Sequence, residues 1–118
     1  MIGLPTETQA DVEAIVDLVK RLKTVLKDTG RRAKINVSVA TFVPKPHTPF
    51  QWEPQLGLES AMQKINWLKD QLKLPGVQVK WQDPRVSMIE GVWARGDRKL
   101  NQVLIEAWQS GCRFDGWS

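Results

Sequence analysis

Cysteine and histidine are almost absent from this chain, which contains one of each, Cys112 and His47. A single cysteine excludes a disulfide within the chain, a cysteine zinc site and any cluster that needs several thiolates from one polypeptide. With one histidine besides, we expect no metal site built by this chain alone. No apolar run reaches the roughly 18 residues that span a bilayer, and the first residues lack the basic and apolar segments of a secretory signal. We therefore expect a cytoplasmic protein that does not enter a membrane.

Size and charge place the chain among ordinary globular domains. The 118 residues are 42% hydrophobic and 25% charged, which suits one domain with a single core. Seventeen Lys and Arg against thirteen Asp and Glu leave a net charge of +4. This mild excess favours an anionic partner such as RNA or a phosphate without establishing one. Tyrosine is missing, and all six tryptophans lie after residue 50, either as partly buried core residues or on surfaces covered by further protein.

Hydrophobic periodicity predicts alternating strands and helices in the order β-α-β-α-β-α-α. The predicted elements are residues 1–4, 9–28, 35–43, 58–73 and 77–81, followed by a helix from residue 84 to a break near residues 96–97 and a last helix from there to residue 111. Such alternation favours an α/β fold, here with about three mostly parallel strands and four helices. The first strand would leave an open edge, so we interpret the chain as cropped from something larger.

The strand predicted at residues 35–43 has two unlike faces. One face is β-branched and the other is mostly small or polar: Ile35, Val37, Val39, Thr41 and Val43 against Asn36, Ser38, Ala40 and Phe42. The branched face suits a layer of helices, which leaves Ser38 and Phe42 on the side where a ligand could bind. The proline-rich residues 44–49 then form a stiff loop at the carboxyl end of the strand, where ligands gather in helix-covered parallel sheets.

Four segments resemble radical S-adenosylmethionine (radical SAM) enzymes. Residues 3–8, Gly-Leu-Pro-Thr-Glu-Thr, resemble the G-x-P-x-E-T segment of these enzymes, especially those akin to tRNA methylthiotransferases. Residues 39–50 are similar to the sixth-strand segment of the same superfamily, which ends in a P-x-P-x-T-P-like loop. Residues 87–98, with residues 114–117, look like the region just after the core in radical SAM proteins that often carry a cobalamin-binding-like domain in front.

The resemblance implies the C-terminal half of a radical SAM core. Its implied fold is a fragment of a partial (β/α) barrel of the TIM type. Residues 1–50 would be the last two strands of the core with the intervening helix, and residues 51–118 a helical extension with one short strand. The implied partner is the missing N-terminal part of the same enzyme, an oxidoreductase or transferase.

The resemblance also implies a cofactor pocket and a substrate-facing loop. The implied cofactor-binding residues are Gly3, Pro5, Glu7, Ser38, Phe42 and Val43. The implied substrate-binding or anion-binding residues are Lys45, His47, Arg95 and Arg98. His47 stands where relatives often have glycine, either as an ordinary exposed loop histidine or in a proton-transfer or substrate role. Arg95 and Arg98 either grip a carboxylate or phosphate or are solvated arginines around an N-cap.

The cysteines that such an enzyme needs are missing. Radical SAM chemistry uses three cysteines to hold a 4Fe-4S cluster, whose fourth iron chelates S-adenosylmethionine. This chain has only Cys112, which we interpret as a small residue after the last helix. We therefore expect both cofactors in the full-length protein, neither bound to this fragment, and no catalysis by the fragment alone.

Two other functions remain open from the sequence. One is a basic module that binds RNA, although a solvated helix face explains the same charges. Its basic residues are Lys20, Arg21, Lys23, Lys27, Arg31, Arg32 and Lys34. The other is a scaffold that forms a homodimer through the open strand edge and covers some of the tryptophans.

Overall fold

The computed structural model of the protein describes residues 1–30 and 33–112. In this part of the chain the fold is mixed α/β, with four α-helices and two parallel strands. The elements are α1 (Gln9–Asp28), β1 (Ile35–Val39), α2 (Leu58–Gln71), β2 (Val77–Trp81), α3 (Pro84–Arg95) and α4 (Asn101–Gln109). None of the helices in the described residues is long and apolar enough to cross a membrane. The resemblance at residues 114–117 and the basic residues Arg31 and Arg32 lie outside the described ranges.

Helix α1 begins at the capping box that the sequence predicts. The Asp11 carboxylate accepts the backbone N–H of Thr8 at 2.8 Å, and the Thr8 hydroxyl accepts the backbone N–H of Asp11 at 3.4 Å. These bonds satisfy two backbone donors that a helix start otherwise leaves without partners. The helix ends at Asp28 with Thr29 as its C-cap, and Gly30 takes the left-handed conformation with φ of 66°, which glycine adopts without steric cost.

The strands form one parallel pair extended by a single bridge. β1 pairs with β2 from Ile35–Val77 to Val39–Trp81, so α2 is the crossover between them. The predicted first strand is wrong as a full strand, because Ile2 forms only an isolated parallel bridge to Thr41. β1 also ends at Val39, although the alternating pattern predicts a strand to residue 43.

Helices α1 and α2 cover one face of the sheet. The core combines residues of both helices with Ile2 and β1, namely Ile2, Val12, Val16, Val19, Val39, Ile65, Leu68 and Leu72. Ile35 and Val37 pack against this core, as the branched face predicts, whereas Asn36 and Ser38 on the opposite face are exposed. The apolar alternation in β1 therefore decides which face the helices cover.

The later elements follow the predictions with small shifts. α2 ends at Gln71, two residues before the predicted boundary. α3 begins at Pro84, after the N-cap Asp83 accepts the Arg85 backbone N–H at 2.9 Å. Asp97 caps a short 3-10 turn, Arg98–Leu100, and α4 follows that turn directly. No residue of α4 is buried against the described part of the chain.

Candidate functional site

A cavity of about 480 Å³ lies at the carboxyl edge of the parallel strands. We call it the carboxyl-edge cavity, and its lining residues come from the segment before α1, the chain after β1, the residue after β2, and α3. They are Met1, Leu4, Ala40, Thr41, Phe42, Val43, Lys45, Thr48, Phe50, Gln82 and Glu90. Its volume lies in the range of small-molecule sites, and carboxyl edges are where such sites form in parallel sheets.

Backbone hydrogen bonds bring these segments to one edge. Ile2 donates its N–H to the Ala40 carbonyl at 2.9 Å and accepts the N–H of Phe42 at 2.7 Å. On the other side, Gln82 donates its N–H to the Val39 carbonyl at 3.0 Å. All three chain segments run parallel, so the residues that follow each of them emerge at the same end of the sheet.

The walls of the carboxyl-edge cavity are largely apolar. The Phe42 and Phe50 rings meet edge to face, with centroids 6.1 Å apart and an angle of 88° between the planes. Leu4 is partly exposed beside them, and Phe50 is 44% exposed. Thr41 supplies a buried hydroxyl whose Oγ1 has no hydrogen-bond partner among the described residues. Because buried polar atoms are nearly always paired, this hydroxyl is suited to a bound ligand or water.

One ion pair lies at the rim of the cavity. The Lys45 ammonium contacts the Glu90 carboxylate, and the Gln82 side-chain amide donates to the same carboxylate at 3.5 Å. The Lys45 and Glu90 side chains are 47% and 41% exposed. An ion pair this exposed stabilises little, so Lys45 can exchange its carboxylate for an anionic ligand at small cost.

The segment before α1 is fixed by a buried carboxylate. Glu7, whose side chain is 6% exposed, accepts the Gly3 backbone N–H at 2.8 Å and pairs with the Lys64 ammonium of α2. Gly3 is buried with φ of 79°, and a Cβ there would lie 3.0 Å from the Leu56 Cβ. Glycine is therefore required at position 3 by both conformation and space. The Glu7 carboxylate already has partners and does not line the carboxyl-edge cavity.

The predicted site residues fall into several places. Phe42, Val43 and Lys45 line the carboxyl-edge cavity, together with Leu4 from the segment of Gly3 and Pro5. Gly3 and Pro5 themselves do not line it, and Ser38 is exposed on the uncovered face of β1.

The remaining predicted residues lie away from this cavity. His47 is exposed with φ of 61°, and its backbone N–H donates to the Gln51 side chain at 3.3 Å. The Arg95 guanidinium donates to the Gln51 backbone carbonyl at 3.1 Å and also to the Glu53 backbone carbonyl. These hydrogen bonds hold the loop before α2 against the end of α3. Arg98 is exposed in the 3-10 turn, and no described ion pair or hydrogen bond joins it to Arg95.

Sequence reasoning named three of the eleven residues that line the cavity, Phe42, Val43 and Lys45, and missed the other eight. Thr41 was assigned to the helix-facing side of its strand, and Phe50, Gln82 and Glu90 were not singled out. Gln82 had a usable signal, since it follows a parallel strand directly and such residues gather at the ligand edge. Glu90 had none, because its position depends on how α3 packs across the sheet end.

A charged helix cap lies next to the carboxyl-edge cavity. Beside Gln82, the pKa of the Asp83 carboxyl is held below its usual 3.8, chiefly by the Arg85 side chain and then by the Arg85 backbone N–H. In residues 1–30 and 33–112, no group of three or more His, Cys, Asp or Glu side chains is placed to hold a metal ion.

Comparison with known proteins gives one distant relative. The uncharacterized protein MJ0966 of Methanocaldococcus jannaschii is 34% identical over 104 residues, which are 88% of this chain and 22% of that protein. The chain thus spans about a fifth of the length of the relative it matches, and the printed name of that relative states no activity. No family model matches the chain. No solved structure matches it either.

Proposed function

We propose that this chain forms part of the S-adenosylmethionine pocket of a longer cytoplasmic radical SAM enzyme, within a partial (β/α) barrel. One observation carries the proposal. The segments at residues 3–8 and 39–50, which carry the sequence resemblance, both contribute to the carboxyl-edge cavity. The parallel bridge between Ile2 and Thr41 gives them a common direction, as neighbouring strands of such a barrel have. The relative's greater length supports a longer protein.

The residues present do not fit the 4Fe-4S cluster itself. Cluster irons need several thiolates, and Cys112 is the one cysteine of the chain. We therefore assign the cluster ligands to another part of the longer enzyme. Catalysis would then require that part as well, so we expect this fragment to be inactive alone.

The lining of the carboxyl-edge cavity has the side-chain types that the nucleoside part of S-adenosylmethionine needs. The apolar side chains of Leu4 and Phe42 suit the adenine ring, and the unpaired hydroxyl of Thr41 suits a polar atom of the nucleoside. When bound to a cluster, this cofactor supplies a carbon radical by reductive cleavage of its sulfonium group. In this proposal the chain binds and orients the nucleoside, and Lys45 at the rim attracts an anionic group of the substrate.

The coding sequence upstream of Met1 gives the first test. We expect three closely spaced cysteines roughly 100 to 150 residues before Met1, a distance set by about four strand–helix units. An upstream sequence without such a motif refutes the proposal.

Binding of S-adenosylmethionine gives the second test. In the longer protein, reconstituted with iron and sulfide under anaerobic conditions, equilibrium dialysis measures the cofactor affinity. We expect Thr41→Val to weaken binding about 5-fold to 10-fold, because one hydrogen bond of about 1 kcal/mol is lost. The matched control is Ser87→Ala, which removes another buried hydroxyl without a described partner but lies outside the cavity. Equal effects of both variants, or no binding by the reconstituted protein, contradict the proposal.

A further inference from the structure

A second cavity lies at the opposite edge of the sheet and is lined by lysines. This cavity of about 370 Å³, which we call the amino-edge cleft, lies between the end of α1 and the starts of β1 and β2. Its lining residues are Lys23, Leu26, Lys27, Ala33, Lys34, Ile35, Pro75 and Gly76. Three of these eight residues are cations and none is an acid. The carboxyl-edge cavity shares no lining residue with it, so the two sites are independent.

The three lysines have no carboxylate partners within the described residues. The four ion pairs found there involve Lys45, Lys64, Lys73 and Arg85, and none involves Lys23, Lys27 or Lys34. Lys23 is moreover half-buried, so part of its stem is removed from water.

The positive charges of Lys23 and Lys27 on α1 repel each other, and no acidic side chain of the helix lies where it could reduce this repulsion. Lys23 and Lys27 are four residues apart and lie on one helix face, where two like charges destabilise the helix. Neither has an Asp or Glu three or four residues away, and the adjacent Asp28 does not share a face with Lys27. A bound anion would relieve this repulsion.

The spacing of the charges favours a chain of phosphates over a single one. Lys20, Lys23 and Lys27 follow one side of α1 over about 10 Å, at 1.5 Å per residue. Cations spread along a row can each contact a different phosphate of a nucleic acid strand, which carries a charge every few ångströms. A concave cleft also admits a flexible strand but excludes the flat surface of a bilayer. From these observations we infer that the amino-edge cleft binds the phosphodiester backbone of a single-stranded nucleic acid through Lys23, Lys27 and Lys34.

Fluorescence anisotropy with a labelled oligouridine of about 12 nucleotides tests this inference on the 118-residue chain. Three phosphate contacts give a logarithmic salt slope near −2, so affinity should fall about 20-fold between about 50 and 200 mM salt. The variant Lys23→Gln/Lys27→Gln/Lys34→Gln should lose most of the binding and most of the salt slope. Circular dichroism checks that the variant is folded, and we expect a spectrum like that of the unchanged chain.

The matched control carries the same change in net charge elsewhere. It is Lys73→Gln/Lys80→Gln/Lys99→Gln, in which all three lysines are exposed and lie outside the cleft. We expect this control to bind oligouridine with a nearly unchanged salt slope. Equal losses in the two triple variants would show an effect of net charge only and would overturn the inference. A flat salt response, or binding to phosphatidylserine vesicles without binding to oligouridine, would overturn it as well.

Discussion

The buried ion pair between Glu7 and Lys64 allows a sharp test of how the candidate site is held together. Glu7→Gln keeps an oxygen that can accept the Gly3 N–H but removes the negative charge beside Lys64. Because the Glu7 side chain is 6% exposed and that of Lys64 25% exposed, the lysine charge would be left with little water around it. The variant should therefore be less stable, and the segment before α1 should be held less firmly against α2.

The magnitude follows from the burial of the two partners. Removing one member of a fully buried pair costs about 3 to 5 kcal/mol. The partial exposure of Lys64 and the retained bond to Gly3 lower the expected cost to about 2 kcal/mol. For a chain of 118 residues, 1 kcal/mol corresponds to about 4 °C in Tm, so Tm should fall by about 8 °C.

Thermal unfolding followed by far-ultraviolet circular dichroism measures this change. The matched control is Asp70→Asn, which breaks the ion pair between Asp70, whose side chain is 66% exposed, and Lys73, whose side chain is 76% exposed. That variant should leave the free energy of unfolding almost unchanged, because ion pairs this exposed contribute little. A double-mutant cycle with Lys64→Met isolates the coupling between Glu7 and Lys64. Equal shifts for Glu7→Gln and Asp70→Asn, or no coupling in the cycle, would refute the reasoning.

Two further predictions concern pH and packing. The Thr8 side chain and, to a smaller extent, the Thr8 backbone N–H hold the pKa of Asp11 below 3.8. The ionised carboxylate therefore stabilises the fold above about pH 4. This stabilisation is lost as the pH falls through the lowered pKa. Urea denaturation should accordingly show Asp11→Asn less stable than the natural protein at about pH 6, with this difference in the free energy of unfolding shrinking as the pH falls below 3.8. A difference that stays constant with pH would contradict this assignment. Leu68→Ala should lower the free energy of unfolding by about 3 kcal/mol, because Leu68 is 0% exposed. Trp108 is 76% exposed, so Trp108→Gln should change the free energy of unfolding by under about 0.5 kcal/mol. Similar costs for both variants would mean that α4 is packed more tightly than described.

Local sequence signals determined most of the elements. The capping box at Thr8 and the apolar spacing predict α1 with the boundaries observed, because both depend on residues within a few positions of each other. The β-branched residues of β1 likewise predict which face of the strand meets the helices. Asp83 before Pro84 marks the start of α3, since an N-cap and a proline at the first helical position act within one turn.

Positions that depend on distant partners could be determined only by the tertiary structure. The apolar residues before Pro5 predict a strand, yet Ile2 makes one bridge to Thr41, and no local pattern specifies the number of ladder bonds. The sequence resemblance led us to expect Glu7 at a cofactor, but its carboxylate accepts the Gly3 N–H and pairs with Lys64, which lies 57 residues further along the chain.

The sequence by itself determined the helices, the order of the elements and the faces of β1, because these follow from short-range spacing and caps. Only the tertiary structure decided that Thr41, Gln82 and Glu90 border one cavity with Lys45, and that three lysines meet at the opposite edge. The physical reason is that side chains far apart in sequence are brought together by sheet pairing and helix packing, which local patterns do not encode.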